Sequence, residues 1–178
     1  LDAHGDINTG ETSPSGNIHG MPLSALMGLG SEELVNVYSP GNKVIPQNVF
    51  LVGTRSLDDG ESDLIKEQQL SVYTMDTIRD KGMEFVAEDI KNKLRDRKIR
   101  NVHFSIDVDS IDPGFAPGTG TRVPEGLTPD EFKEFVRHML STNLIKSLDL
   151  VELNPDLDTD DITTKLCLSV IDYITSRL

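Results

Sequence analysis

The chain is poor in the features that would place it in a membrane, on nucleic acid or in an oxidising compartment. Its 178 residues include one cysteine, Cys167, so no internal disulfide can form. Cys167 falls in an apolar helical stretch and reads as a small buried hydrophobe rather than a catalytic thiol. A lone thiol with no bridge fits the reducing cytoplasm. No apolar run approaches the roughly 20 residues of a membrane-spanning helix, and the opening Leu1-Asp2-Ala3-His4 does not resemble a signal peptide. Bases are scarce, 17 against 30 acids, for a net charge of −13. That balance lacks the basic footprint phosphate binding needs, which excludes nucleic acid as a partner. Repeats, low-complexity tracts and composition shifts are also missing, so residues 1–178 read as a single domain large enough to bury a core.

What is present alternates short apolar runs with longer helical ones. Val49-Phe50-Leu51-Val52, Val102-His103-Phe104-Ser105-Ile106 and Leu148-Asp149-Leu150-Val151 read as strands. Over 82–97, Met83, Val86, Ile90 and Leu94 recur at helical spacing and predict one buried face. Thr128-Pro129-Asp130-Glu131 carries three helix-start signals for 128–141: an N-cap hydroxyl, proline at the first position and glutamate three after the cap. The closing 161–177 segment is helical as well, with Leu166, Val170, Ile171 and Ile174 expected inward. Strands alternating with helices predict an α/β fold, a three-layer α/β/α arrangement whose parallel sheet is covered on both faces. Ligands of such sheets bind beyond the carboxyl ends of the strands.

Acids stand at those ends. Val102–Ile106 runs into Asp107-Val108-Asp109, and Leu148–Val151 into Glu152-Leu153-Asn154-Pro155. If Leu1 ends a further strand, Asp2-Ala3-His4-Gly5-Asp6 delivers more acids to the same rim. Residues two apart in extended chain point the same way, so Asp2, His4 and Asp6 can converge, as can Asp107 and Asp109. So many carboxylates repel one another unless a cation neutralises them. Oxygen-rich sets with an imidazole suit manganese or magnesium better than zinc or calcium. Two such motifs predict a two-metal site, whose ions about 3.5–4 Å apart lower the pKa of a shared water. His103, in a strand pattern, and His138, on a helix, read as structural, and Asp112 before Pro113 as a residue that shapes its loop.

The segments Asp2-Ala3-His4-Gly5-Asp6-Ile7-Asn8, Ser15-Gly16-Asn17-Ile18-His19-Gly20 and Ser105-Ile106-Asp107-Val108-Asp109-Ser110-Ile111-Asp112-Pro113 resemble signature segments of arginases. Gly118-Thr119-Gly120-Thr121 and Glu152-Leu153-Asn154-Pro155 continue the resemblance in the same order. It spans essentially the whole chain, is nearest to bacterial arginases, and places the chain's likeness within the ureohydrolase superfamily.

The resemblance implies a binuclear manganese hydrolase that cleaves the guanidinium group of L-arginine to L-ornithine and urea through a metal-bridging hydroxide. Asp2 and Asp107 match bridging ligands, Asp6 a ligand of the first ion, and His4 and Asp109 ligands of the second. Asp6 also matches the proton donor to the departing amine, and His19 a proton shuttle. Glu152 would pair with the guanidinium and Thr121 would support Glu152. Asn8, Ser13, Ser15 and Asn17 match the loop that holds the α-carboxylate. Asp58 and Glu61 match the readers of the α-amino group, although both could equally cap the helix that follows. A trimer or hexamer is implied too. The family's earlier strand ending in Gly-Gly-Asp-His, whose histidine completes the first site, has no counterpart here, so the chain reads as the C-terminal portion of a longer one. Agmatinase or guanidinobutyrase activity, and a non-catalytic metal-binding remnant, are the alternatives.

Overall fold

The computed structural model describes residues 1–177. A 3-10 turn at Ile18–Gly20 leads into short helices α1 (Pro22–Leu26) and α2 (Glu32–Val35). There follow β1 (Phe50–Thr54), α3 (Asp59–Gln68), β2 (Ser71–Thr74), α4 (Met75–Lys81) and α5 (Met83–Asp96). The chain continues through β3 (Val102–Asp107), α6 (Pro129–Leu140), β4 (Ile145–Val151) and α7 (Ile162–Thr175).

Local chemistry explains several boundaries. Thr128 accepts the Glu131 amide and Glu131 accepts the Thr128 amide, closing a capping box with Pro129 at the first position of α6. On α5 the predicted stripe Met83, Val86, Ile90 and Leu94 is buried. It meets Phe132, Phe135 and Val136 of α6 in one core cluster. Phe104 of β3 packs edge-on to Phe135, with ring centroids 5.9 Å apart. Each such aromatic contributes about 1.5–3 kcal/mol through burial. On α7 the core takes Thr163, Cys167, Val170 and Ile174, and Leu166 packs beside them. Ile171 instead lies 42% exposed, against expectation, because it sits about 100° around the helix from Val170.

β1 pairs with β2 and β3 with β4, both parallel. Leu1 belongs to no regular strand, yet it and Asp2 lace the two pairs together. The Asp2 amide donates to Val52 O at 3.0 Å, the Asp107 amide to Leu1 O at 2.9 Å, and the Leu1 amino group to Ser105 O at 3.0 Å. β1, β3 and the Asp2 segment therefore present their carboxyl ends on one side. The parallel strands alternate with helices, as expected of an α/β fold. On β3 and β4, Phe104 and Ile106 face the core, whereas His103, Ser105 and Ser147 are exposed. That open face is polar and self-satisfied: His103 contacts Ser147 Oγ (2.9 Å) and Asp149 (3.2 Å), and Ser105 donates to Asp149 (2.6 Å). Successive side chains of a strand point to opposite faces, which accounts for the alternation.

Candidate metal centre and substrate cleft

β3 ends on Asp107, whose Oδ1 accepts the Asp109 amide at 2.7 Å and so starts a tight 3-10 turn, Val108–Ser110. The turn tucks Asp109 inward until it is 1% exposed. Its carboxylate is held from three directions. The Ala3 amide donates to Oδ1 (3.1 Å), the Thr121 hydroxyl donates to Oδ2 (3.0 Å), and His4 Nδ1 lies 3.0 Å from Oδ2. Asp2 Oδ1 accepts the His4 amide at 2.7 Å and stands 3.6 Å from its Nδ1. Among the described residues, Asp2, His4 and Asp109 are the group whose donor atoms, all within 4.8 Å of one another, could hold one ion. Asp6 and Asp107 line the same cleft without joining that group.

Burial and the neighbouring Asp2 and Asp109 push the Asp107 carboxyl up to about 9. Burial, with Asp2 beside it, raises Asp6 to about 7. His4 is raised to about 10 by its hydrogen bonds to Asp109 and Asp2. Burial works against ionised Asp109, but His4, the Ala3 amide and the Thr121 hydroxyl hold it below the usual carboxylate range. The acids thus cannot all ionise together without added positive charge. Carboxylate oxygens with one imidazole form a donor set that fits a hard divalent cation.

The cleft has a volume of about 250 Å³, and every site residue singled out from the sequence lines it except Asp2, which touches His4. His4, Asp6, Asp107, Asp109 and Thr121 line it together with Asn8, Ser13, Ser15, Asn17 and His19. Asp58 and Glu61 make a capping box at the start of α3 while lining the cleft, so the capping alternative is realised. Asn8 Nδ2 donates to Asp58 Oδ2 at 2.8 Å and Asn8 Oδ1 accepts the Thr12 hydroxyl at 2.8 Å, which locks the amide orientation. Gly60 permits this approach: a Cβ there would lie 2.8 Å from Thr12 Cβ. Ser13 and Ser15 accept the amides of Gly16 and Asn17, shaping an exposed loop. His19 is exposed in the 3-10 turn that follows.

Two acids reach the cleft from strained backbone. Asp6 and Glu152 both have positive φ, 52° and 62°, a conformation that costs a non-glycine residue about 1 kcal/mol or more. Thr121 departs from its expected role: its hydroxyl is bound to Asp109, not Glu152. Three lining residues, Pro14, Gly20 and Ser56, were not foreseen. Ser56 carried a readable signal, since it stands two residues before Asp58 beyond a strand end. Asp112 shapes its loop by accepting the Gly114 and Gly126 amides. His138 is buried against Lys91 and Arg137.

Comparison with known proteins places these residues in context. The family model described as "Arginase family" matches residues 1–176. The chain is 44% identical over 170 residues to the arginase of Staphylococcus aureus strain COL, covering 96% of this chain and 56% of that protein. It is 43% identical over 176 residues to the arginase of Bacillus subtilis strain 168, covering 99% and 59%. The solved arginase of Bacillus caldovelox superposes with a TM-score of 0.94 at 42% identity, over 97% of this chain and 57% of that one. The chain therefore spans somewhat more than half the length of the curated relatives it matches. No helix among the described residues is long and apolar enough to cross a membrane.

Proposed function

Because the chain belongs to the arginase family, we propose that it forms a single catalytic domain of an enzyme hydrolysing L-arginine to L-ornithine and urea with a pair of manganese ions. One observation carries the reading: an acid-and-imidazole cluster forms part of the same cleft whose other walls carry Asn8, Asp58, Glu61 and Glu152. When bound, the ions would supply a hydroxide nucleophile at neutral pH.

The chain's own residues do the rest. Asp2, His4, Asp107 and Asp109 would hold the second ion, and Asp2, Asp6 and Asp107 would contribute to the first. Glu152 pairs with the planar guanidinium, for which a carboxylate is the natural bidentate partner. Asn8, Ser13, Ser15 and Asn17 present amide and hydroxyl donors to the α-carboxylate. Asp58 and Glu61 offer negative charge to the α-amino group. Asp6 passes a proton to the departing amine, and exposed His19 exchanges protons between the cleft and solvent. Cytoplasmic action and assembly into trimers or hexamers belong to the same proposal.

A second reading is favoured by one feature. Among the described residues His4 is the only imidazole in the acid cluster, which suits a protein that binds metal without turnover. Urea release measured in parallel on arginine, agmatine and guanidinobutyrate, with manganese content by elemental analysis, separates the readings. Turnover of arginine with two manganese per chain supports the enzyme. Turnover of only the substrates lacking an α-carboxylate moves the assignment to another ureohydrolase. No urea from any of the three with one ion or none sinks it.

A further inference from the structure

Arg55 follows β1 and is half-buried beside the acid cluster, and among the described residues it touches no carboxylate. Its guanidinium is spent wholly on backbone carbonyls. Nη2 donates to Asp109 O at 2.8 Å and Val123 O at 2.7 Å, and Nε to Pro124 O at 2.9 Å. Nη1 donates to Gly53 O at 3.2 Å and Ser110 O at 3.3 Å. One side chain thus ties together the end of β1, the turn that carries Asp109, and the loop that follows Thr121. Gly126 leaves room for it, since a Cβ there would lie 2.6 Å from Nη2.

We infer that Arg55 is the positioning residue of the metal centre, fixing the Asp109 backbone so that its carboxylate meets the cation already oriented. The inference rests on reading the cluster as a metal site. Asp109 is then held at both ends: its carbonyl by Arg55, and its carboxylate by Ala3 and Thr121. The same guanidinium is a fixed positive charge hydrogen-bonded to the turn that carries Asp109. A lysine would keep the charge but not the planar fork, because its three donors radiate from a single nitrogen. Charge and geometry can therefore be separated experimentally.

The test compares the wild-type protein with Arg55→Lys. Manganese affinity is read by isothermal titration, the environment of the bound ion by electron paramagnetic resonance, and the fold by thermal unfolding without metal. Titrations are repeated in trimethylamine N-oxide, which strengthens burial, so that a destabilised variant is still read folded. The expected result is a cooperatively folded R55K whose manganese affinity is weaker by roughly tenfold or more, as for other groups that orient metal ligands, with an altered resonance spectrum. Wild-type affinity and spectrum in R55K would overturn the inference. So would an R55K that fails to fold even with the osmolyte, since the arginine would then serve the fold rather than the ion. A wild-type protein that binds no manganese is a different failure and sinks the metal reading itself.

Discussion

Replacing Asp158 by alanine should lower stability by about 2 kcal/mol, a value built from four hydrogen bonds. Asp158 precedes α7, and its Oδ1 accepts the amides of Thr159 (2.9 Å) and Thr163 (3.0 Å). Its Oδ2 accepts the Thr164 amide at 2.8 Å and the Thr164 hydroxyl at 2.9 Å. Asp161, which stands at the usual cap position, makes no such bond, so Asp158 satisfies the first turn from outside it. It also packs on Gly118, whose amide donates to Thr163 Oγ1 at 2.7 Å. Loss of one capping side chain costs about 0.5–2 kcal/mol. Here more donors are orphaned, but water can reach part of the site and reclaim some of that cost. At about 2–4 °C per kcal/mol for a chain of this size, the melting point should fall by roughly 4–8 °C. Asp158→Asn, which keeps one acceptor oxygen, should lose about half as much.

The pH dependence has a definite sign. Burial alone would raise the Asp158 carboxyl, but the Thr164 and Thr163 amides outweigh it and hold the group far below the usual carboxylate range. A depressed folded value contributes stability that is present above the unfolded value near 4 and is lost as pH falls toward the folded one. The gap between wild type and Asp158→Asn should therefore be full at pH 7 and smaller at pH 3. Urea unfolding followed by circular dichroism at both pH values measures it. An alanine variant within 0.5 kcal/mol of wild type, or a gap to Asp158→Asn that does not change with pH, refutes the reasoning.

Asp107→Ala should abolish manganese binding, because that carboxylate is a proposed ligand of both ions; full stoichiometry by elemental analysis would refute the assignment. Phe104→Ala removes the edge-on partner of Phe135 from the core, and should cost about 3–5 kcal/mol in chemical denaturation. Cys167 is buried and its thiol is pushed up to about 11 by that burial, so a thiol reagent at pH 8 should react only after denaturant is added. Fast labelling of the native protein would mean that α7 opens readily.

Where the sequence was legible, one strong signal stood alone. The stripe of α5 and the capping box of α6 were readable because each is a short-range pattern that tertiary packing did not override. β2 and α4 escaped because Ser71–Thr74 is too short to show a period and flows directly into Met75–Lys81. Ile171 was misplaced because α7 is apolar on more than one side, and periodicity alone cannot choose which stripe meets the core. The polar face of β3 and β4 was readable in principle. His103 and Ser105 alternate with Phe104 and Ile106, and the exposed and buried positions follow that alternation.

The site was legible to the extent that its residues follow strand ends, because parallel strands oblige those ends to meet. What sequence could not decide is which of several partners each side chain takes. Asp58 and Glu61 satisfy a capping pattern and line the cleft at once, so the two assignments were never exclusive. Thr121 could have reached either neighbouring acid, and the choice of Asp109 depends on a loop that Arg55 pulls in through Val123 and Pro124. No local pattern marks Arg55, because its partners are carbonyls, which every residue has. A positioning role carried by backbone contacts leaves no trace in residue type, and it becomes visible only when the chain's distant loops are seen together.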